Sequence, residues 1–340
     1  MSNLRKNNTK IKYRFANLKE AQELYLSNTK YLNNFNQYDL DYKLNKKNAT
    51  LKEFKVTPIK YPKNKLFSSH PSIPLHAKPL NKHFRSSQML EFTANEKELI
   101  SKQIKKMEKT LENQKMSLPF NEEIIFIKST QKEENGSLAY THATQIYLGE
   151  KLFNYLESEN IRKKFYFEQV FWHELFHCMT RSNKKFRKDM YEIIHFKVME
   201  KDFTIPKSVY EISISNPDVE NHDSYATFNI NGKNIDCYMV LTASKPFEQP
   251  GDSFFHCIQS AIVPINSKGE FYLPEDAINF WEIFGKNTHY VIDPEECLAD
   301  NFSYAILNHE YQKYIECKLL ELNFRNPEII EKIINYFQKY

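Results

Sequence analysis

The stretch Phe171-Trp172-His173-Glu174-Leu175-Phe176-His177-Cys178 constrains this chain more than any other. Phe165, Phe167, Val170 and Phe171 lead into it at helical spacing, and no Gly or Pro interrupts the run through Arg181. The pattern predicts a helix. On that helix His173 and His177, four residues apart, project from one face. Two imidazoles so placed can share one tetrahedral Zn²⁺, and the adjacent Glu174 can take a proton from a bound water without ligating the metal.

The His-Glu-x-x-His pattern is short, so its chance frequency matters. With 11 His and 43 Asp+Glu in 340 residues, roughly 0.04 matches are expected by chance, even counting Asp as Glu. The flanking Phe171, Leu175 and Phe176 mark the helix as buried, where two imidazoles and a carboxylate are costly unless paired or metal-bound.

A zinc site of this type needs a third protein ligand and leaves the fourth position to water. The best candidate lies in Asp293-Pro294-Glu295-Glu296-Cys297-Leu298-Ala299-Asp300. Asp293 suits an N-cap and Pro294 the first helical position, so a second helix starts here. Glu296 and Asp300, four apart, share a face of it. Glu295, one position round, is the rival ligand, and a solvated first-turn carboxylate is the non-functional alternative for Glu296. With these two segments the chain resembles the gluzincin metallopeptidases, the group that includes thermolysin, whose signature is H-E-x-x-H followed by E-x-x-x-D on a later helix. The resemblance implies a zinc cofactor held by His173, His177 and Glu296, Asp300 orienting His173, and Glu174 as general base in peptide-bond hydrolysis. It covers only the two helices and the strand order between them. It departs from thermolysin in the long separation of His177 from Glu296, which requires an insertion. The metzincin pattern is absent, because Thr180 and Asn183 stand where it requires Gly and His.

Composition sets the bounds. A chain of 340 residues forms one large domain or two. It is 41% hydrophobic, and its 26 Phe and 21 Tyr predict an aromatic core. A net charge of +4 gives no case for nucleic acid, and a peptide or protein substrate is the partner the resemblance implies. The oligomeric state is not readable. Cys178, Cys237, Cys257, Cys297 and Cys317 are widely spaced and odd in number, which predicts reduced thiols in a cytoplasmic protein. Cys178 and Cys297 adjoin proposed ligands, but helix neighbours point about 100° apart, so both are expected to pack rather than ligate. No run approaches the ~18 apolar residues of a membrane span, and the N-terminus lacks a secretory apolar core. The basic Met1–Lys19 stretch reads as a flexible arm, with an organelle-targeting or secretion signal the minority reading; it also permits a third functional reading, an enzyme delivered into another cell as an effector or toxin.

The organisation reads as α+β: a zincin-like metallopeptidase core with an inserted small antiparallel sheet and a helical C-terminal part. Residues 1–85 form an arm or linker, irregular beyond a helix at Ala21–Tyr31 and broken by prolines from Pro58 to Pro79. Residues 86–204 carry a helix begun by the Thr93–Glu96 capping box and running to about Gln114, a strand at Glu123–Lys128, and one or two strands in Leu138–His142 and Gln145–Leu148. By the resemblance, Ala139, Tyr140 and Thr141 form the cleft rim, whose open edge pairs with an extended substrate. An interior strand is the alternative. A helix from Phe186 to Met199 follows, with Glu192 and His195 as reserve ligands. The insertion, 205–270, reads as strands at Val209–Ile214, Tyr225–Ile230, Asp236–Thr242 and Phe254–Pro264, with an Asn231-Gly232 hairpin. Residues 271–340 hold a helix from Asp276 to Phe284 stopped by Gly285, the Glu296 helix, and helices at 309–322 and 327–339. Tyr290 is the favoured oxyanion donor over His289, His256 and Tyr304. The rival function is a degenerate zincin scaffold that binds without hydrolysing.

Overall fold

A computed structural model describes residues 9–33, 83–134, 136–156, 159–244, 258–317, 319–320 and 324–340. Most of the proline-broken stretch, the first residues of the expected Phe254 strand and His256 lie outside these.

The first difference from expectation comes early. Within the expected arm lies the first strand of the main sheet, β1 (Lys12–Phe15), which pairs in parallel with β3 (Glu123–Ser129), Lys12 opposite Glu123 and Phe15 opposite Phe126. Asn17 then caps α1 (Leu18–Ser27) by accepting from the Glu20 N–H, and α2 (Thr29–Asn33) follows. The sheet runs β1-β3-β5-β4, with β2 (Met89–Leu90) also on β3. β4 (Ala139–His142) and β5 (Gln145–Gly149) are two strands of a hairpin, β4 antiparallel at the sheet's edge. The two-residue period of β3 divides the interior. Ile124 and Phe126 enter the large core, and Ile127 faces a smaller one with Tyr25, Tyr140 and Tyr147.

The capping box forms as expected and opens α3 (Ala94–Gln114), which buries Ile100, Ile104, Met107 and Leu111. Asn160 caps α4 (Ile161–Ser182), the helix of the two histidines. From Phe167 to Thr180 every residue of α4 except His173 is buried, the mark of a helix inside a core. The next helix, α5 (Lys184–Ile193), stops short of the expected Met199. His195 takes a left-handed φ of 63°, and Phe196 N–H bonds back to Tyr191 O at 2.9 Å, which ends the helix.

The insertion is an antiparallel sheet of β6 (Lys197–Val198), β7 (Ser224–Ile230), β8 (Lys233–Ala243) and β9 (Ile258–Pro264), in that order. Asn231 and Gly232 make its turn with φ of 53° and 76°, as the hairpin pattern demands. The expected Val209–Ile214 strand is instead a helical turn, α6 (Lys207–Tyr210), started by Pro206, and only Ser213 bridges to Thr242 on β8.

The C-terminal part also differs in its bounds. α7 (Phe280–Phe284) is shorter than expected and ends at Gly285, whose φ is 69° and where a Cβ would meet Ile329 Cδ1 at 2.6 Å. α8 (Pro294–Glu316) is one continuous helix, so the helix expected from 309 is its second half. α9 (Pro327–Lys339) closes the fold, with Phe337 against Phe186 and Phe302. α8 lies antiparallel on α4: Phe165 meets Tyr311 at 5.0 Å, and Trp172 and Phe176 both meet Phe302. Among the described residues no helix is long and apolar enough to cross a membrane. The described cysteines are free, with Cys178, Cys237 and Cys297 buried and Cys317 exposed.

Candidate metal centre

The α4–α8 pair builds the site. Asp293 accepts from the Glu295 N–H at 2.9 Å and sets the register of α8. That register aims three carboxylates at α4. Glu296 Oε2 lies 3.0 Å from His173 Nε2 and 3.5 Å from His177 Nε2, between the two rings. Asp300, one turn on, meets His173 Nδ1 at 3.0 Å. Glu295, about 100° round the helix from Glu296, meets His177 Nδ1 at 3.0 Å. Each imidazole is thus held between two carboxylates, and the ring centroids sit 4.8 Å apart.

Behind the carboxylates is a further layer of donors. Thr180 and Tyr191 hydroxyls both donate to Glu295 at 2.5 Å. Thr288 donates to Asp300 Oδ2 at 2.5 Å, and Gln169 to Oδ1 at 3.3 Å. A carboxylate on Nδ1 draws the ring proton to that side and leaves Nε2 as the lone-pair atom. Glu295 was not visible in the sequence as a partner of His177. The adjacent acidic pair was the signal, but adjacency read only as rivalry.

Burial pushes the histidine pKa values down, yet the surrounding carboxylates outweigh it. His173 is held well above the ordinary range by Asp300 and Glu296, and His177 is carried up to about 10 by Asp218, Glu295 and Glu296. Glu296 is drawn well below the carboxylate range: burial opposes this, and the two imidazoles outweigh burial. Glu174 goes the other way, pushed up to about 8 by burial and then by the Asp218 carboxylate. So much buried negative charge around two rings asks for a cation.

The donor set fits zinc. One ligand atom each from His173, His177 and Glu296 lies within 4.8 Å of the others, two imidazole nitrogens and a carboxylate oxygen. His177 Nε2 and Glu174 Oε2 are buried with no hydrogen-bond partner. His177 Nε2 lies 3.5 Å from Glu296 Oε2, so both atoms can turn to a shared cation once the ring gives up its proton. Glu174, His177 and Asp218 form a second group of the same size.

Other expected site residues fall out unequally. The Tyr290 ring lies 6.1 Å from that of His173, and burial followed by the nearby carboxylates holds its phenol well above its usual range. His289 is exposed beside Trp281, and Tyr304 sits behind Asp300 against Phe324. Glu192 and His195 are exposed and belong to neither group of possible metal ligands. Cys297 donates to Phe284 O at 3.6 Å, a packing role. The rim expectation needs correction. β4 is an edge strand, but Tyr140 points to the opposite face, stacked on Tyr147 at 4.6 Å and bonded to Glu133. Ala139 is half-buried, and the Thr141 N–H is already taken by Asp218 at 2.8 Å, so the edge is not open there. No protein-family model, curated protein or solved structure matches this chain.

Proposed function

We propose that the chain is a zinc-dependent metallopeptidase with a zincin-type core. One observation carries the reading: two histidines from α4 and Glu296 from α8 converge on one point, with the uncoordinated oxygen of Glu174 beside it. A purely structural zinc site has no use for that extra carboxylate.

When bound, zinc supplies an acidified water, its pKa lowered towards ~7, and a charge that polarises a carbonyl. The protein supplies the rest. Asp300 and Glu295 fix the ring orientations of His173 and His177. Burial raises the Glu174 pKa, and the charge of a bound zinc would favour its carboxylate form, which would accept the proton as attack begins and return it to the leaving amine. Tyr290 keeps its phenolic proton and would donate it to developing negative charge. The substrate class is a peptide or protein. Purified protein should hold about one zinc per chain, and Glu174→Gln should retain zinc while losing hydrolysis of a mixed peptide library. Equal hydrolysis by both forms would reject the peptidase. A zinc-holding scaffold without activity is the second reading, and the occupied Thr141 N–H favours it.

A further inference from the structure

One wall of the centre is not helical. From Ser213, bridged to Thr242 on β8, the chain crosses to β4 through residues 215–220. Asn216 Nδ2 donates to Glu296 Oε1. Asp218 Oδ1 accepts the Thr141 N–H at 2.8 Å and the Thr141 hydroxyl at 2.5 Å. An oxygen of Asp218 also lies within 4.8 Å of donor atoms on Glu174 and His177. Beyond it, Arg181 donates to Pro217 O at 3.0 Å and pairs with Glu220 at 3.1 Å, and Glu220 takes the Ala143 N–H at 3.0 Å.

These few residues engage the groups a peptide would need: the amide on the strand edge, the general base, and the metal-binding imidazole and carboxylate. We infer that residues 216–220 are an internal plug, with Asp218 standing where substrate binds and closing the coordination position left by His173, His177 and Glu296. The chain as folded is then latent, and the plug must withdraw before substrate enters. This rests on the zinc peptidase reading and adds its regulation.

Two further observations support a movable plug over a fixed wall. Asp218 is tied to β4 and α4 by polar contacts, to Thr141 through one carboxylate oxygen and to Arg181 at 3.8 Å. Two cavities also adjoin the segment. One of about 570 Å³ is lined by Asn216, Pro217 and Val219 facing Lys30, Tyr31 and His142. Another of about 620 Å³ is lined by Asp218, Val219 and Glu220 facing Arg181 and Arg187. The segment is anchored by polar contacts and has space to move into, the character of a low-stability unit.

Asp218→Ala and, independently, Glu220→Ala test this, the second because it loosens an outer anchor away from the ligands. In zinc-free protein the Thr141 amide should exchange its hydrogen faster in Asp218→Ala than in wild type. In zinc-loaded protein, calorimetry with acetohydroxamate should show at least about tenfold tighter binding by Asp218→Ala, because apparent affinity scales with the open fraction. Glu220→Ala should move both readouts the same way by less. Unchanged exchange and hydroxamate affinity in both variants, with zinc retained, would make the segment a fixed wall and overturn the plug alone. Loss of zinc in Asp218→Ala with an unaltered Glu220→Ala would make Asp218 a permanent ligand and also overturn it. Absence of zinc from wild type would remove the metal reading first, and the plug with it.

Discussion

The two walls of the centre are built by opposite means. The helical wall is fixed twice over: α4 and α8 are locked by Trp172, Phe176 and Phe302, and each histidine is clamped by two carboxylates that are themselves hydrogen-bonded. The 216–220 wall has little such packing. It hangs from Arg181, Thr141 and the Ala143 N–H, and two cavities adjoin it. The difference teaches where precision and change are kept apart. A metal centre needs ligands held to within a few tenths of an ångström, and a packed core provides that. A part that must move is excluded from the core.

The sharpest break of this comparison is at the helical wall. His173→Ala or His177→Ala should abolish zinc binding in metal analysis of dialysed protein, and full retention by both would mean the helices hold no metal. Next, Glu174→Gln should keep zinc and fold yet lower peptide hydrolysis by at least ~10²–10⁴, and loss of zinc instead would turn Glu174 into a ligand. Phe302→Ala, which strips the packing between α4 and α8, should cost about 3–5 kcal/mol in denaturant unfolding. A cost as small as that of a surface change would show that the helical wall is not the rigid one. Asp300→Ala and Glu295→Ala should each weaken zinc affinity about 10–100-fold, with Asp300→Asn recovering part because its oxygen still accepts from Nδ1. An effect from Asp300 but none from Glu295 would leave His177 unoriented by α8. The smallest change is expected on the other wall: Glu220→Ala should shift global stability by no more than ~1 kcal/mol, as for a partly exposed ion pair.

The same division explains what could be read in advance. The helix of His173 and His177 was legible because its residues are local and periodic, and Asp293-Pro294 set the register of α8, which placed Glu296 and Asp300. Glu295 escaped because its role depends on how α8 is rotated against α4, which only tertiary packing decides. Asp218 escaped for a stronger reason. Its position is set by three separate elements, β8, β4 and Arg181 on α4, and no local pattern encodes such docking. In residues 207–214 Tyr210, Ile212 and Ile214 mimic strand alternation while Pro206 starts a helical turn. β1 was missed because four residues are too few to show a period.

That first strand has a consequence in time. β1 is synthesised long before β3, the strand it must lie beside, and until β3 follows it the strand has no partner in the main sheet. Parallel pairing across such a separation is slow to form. During the wait, an unpaired strand is open to other chains. Lys12 and Arg14 answer that hazard: their charges discourage stray pairing, and once β3 is present Arg14 pairs with Glu123 at 3.0 Å and with Glu20 at 2.7 Å. The same side chains keep the nascent strand solitary and then fasten it in place.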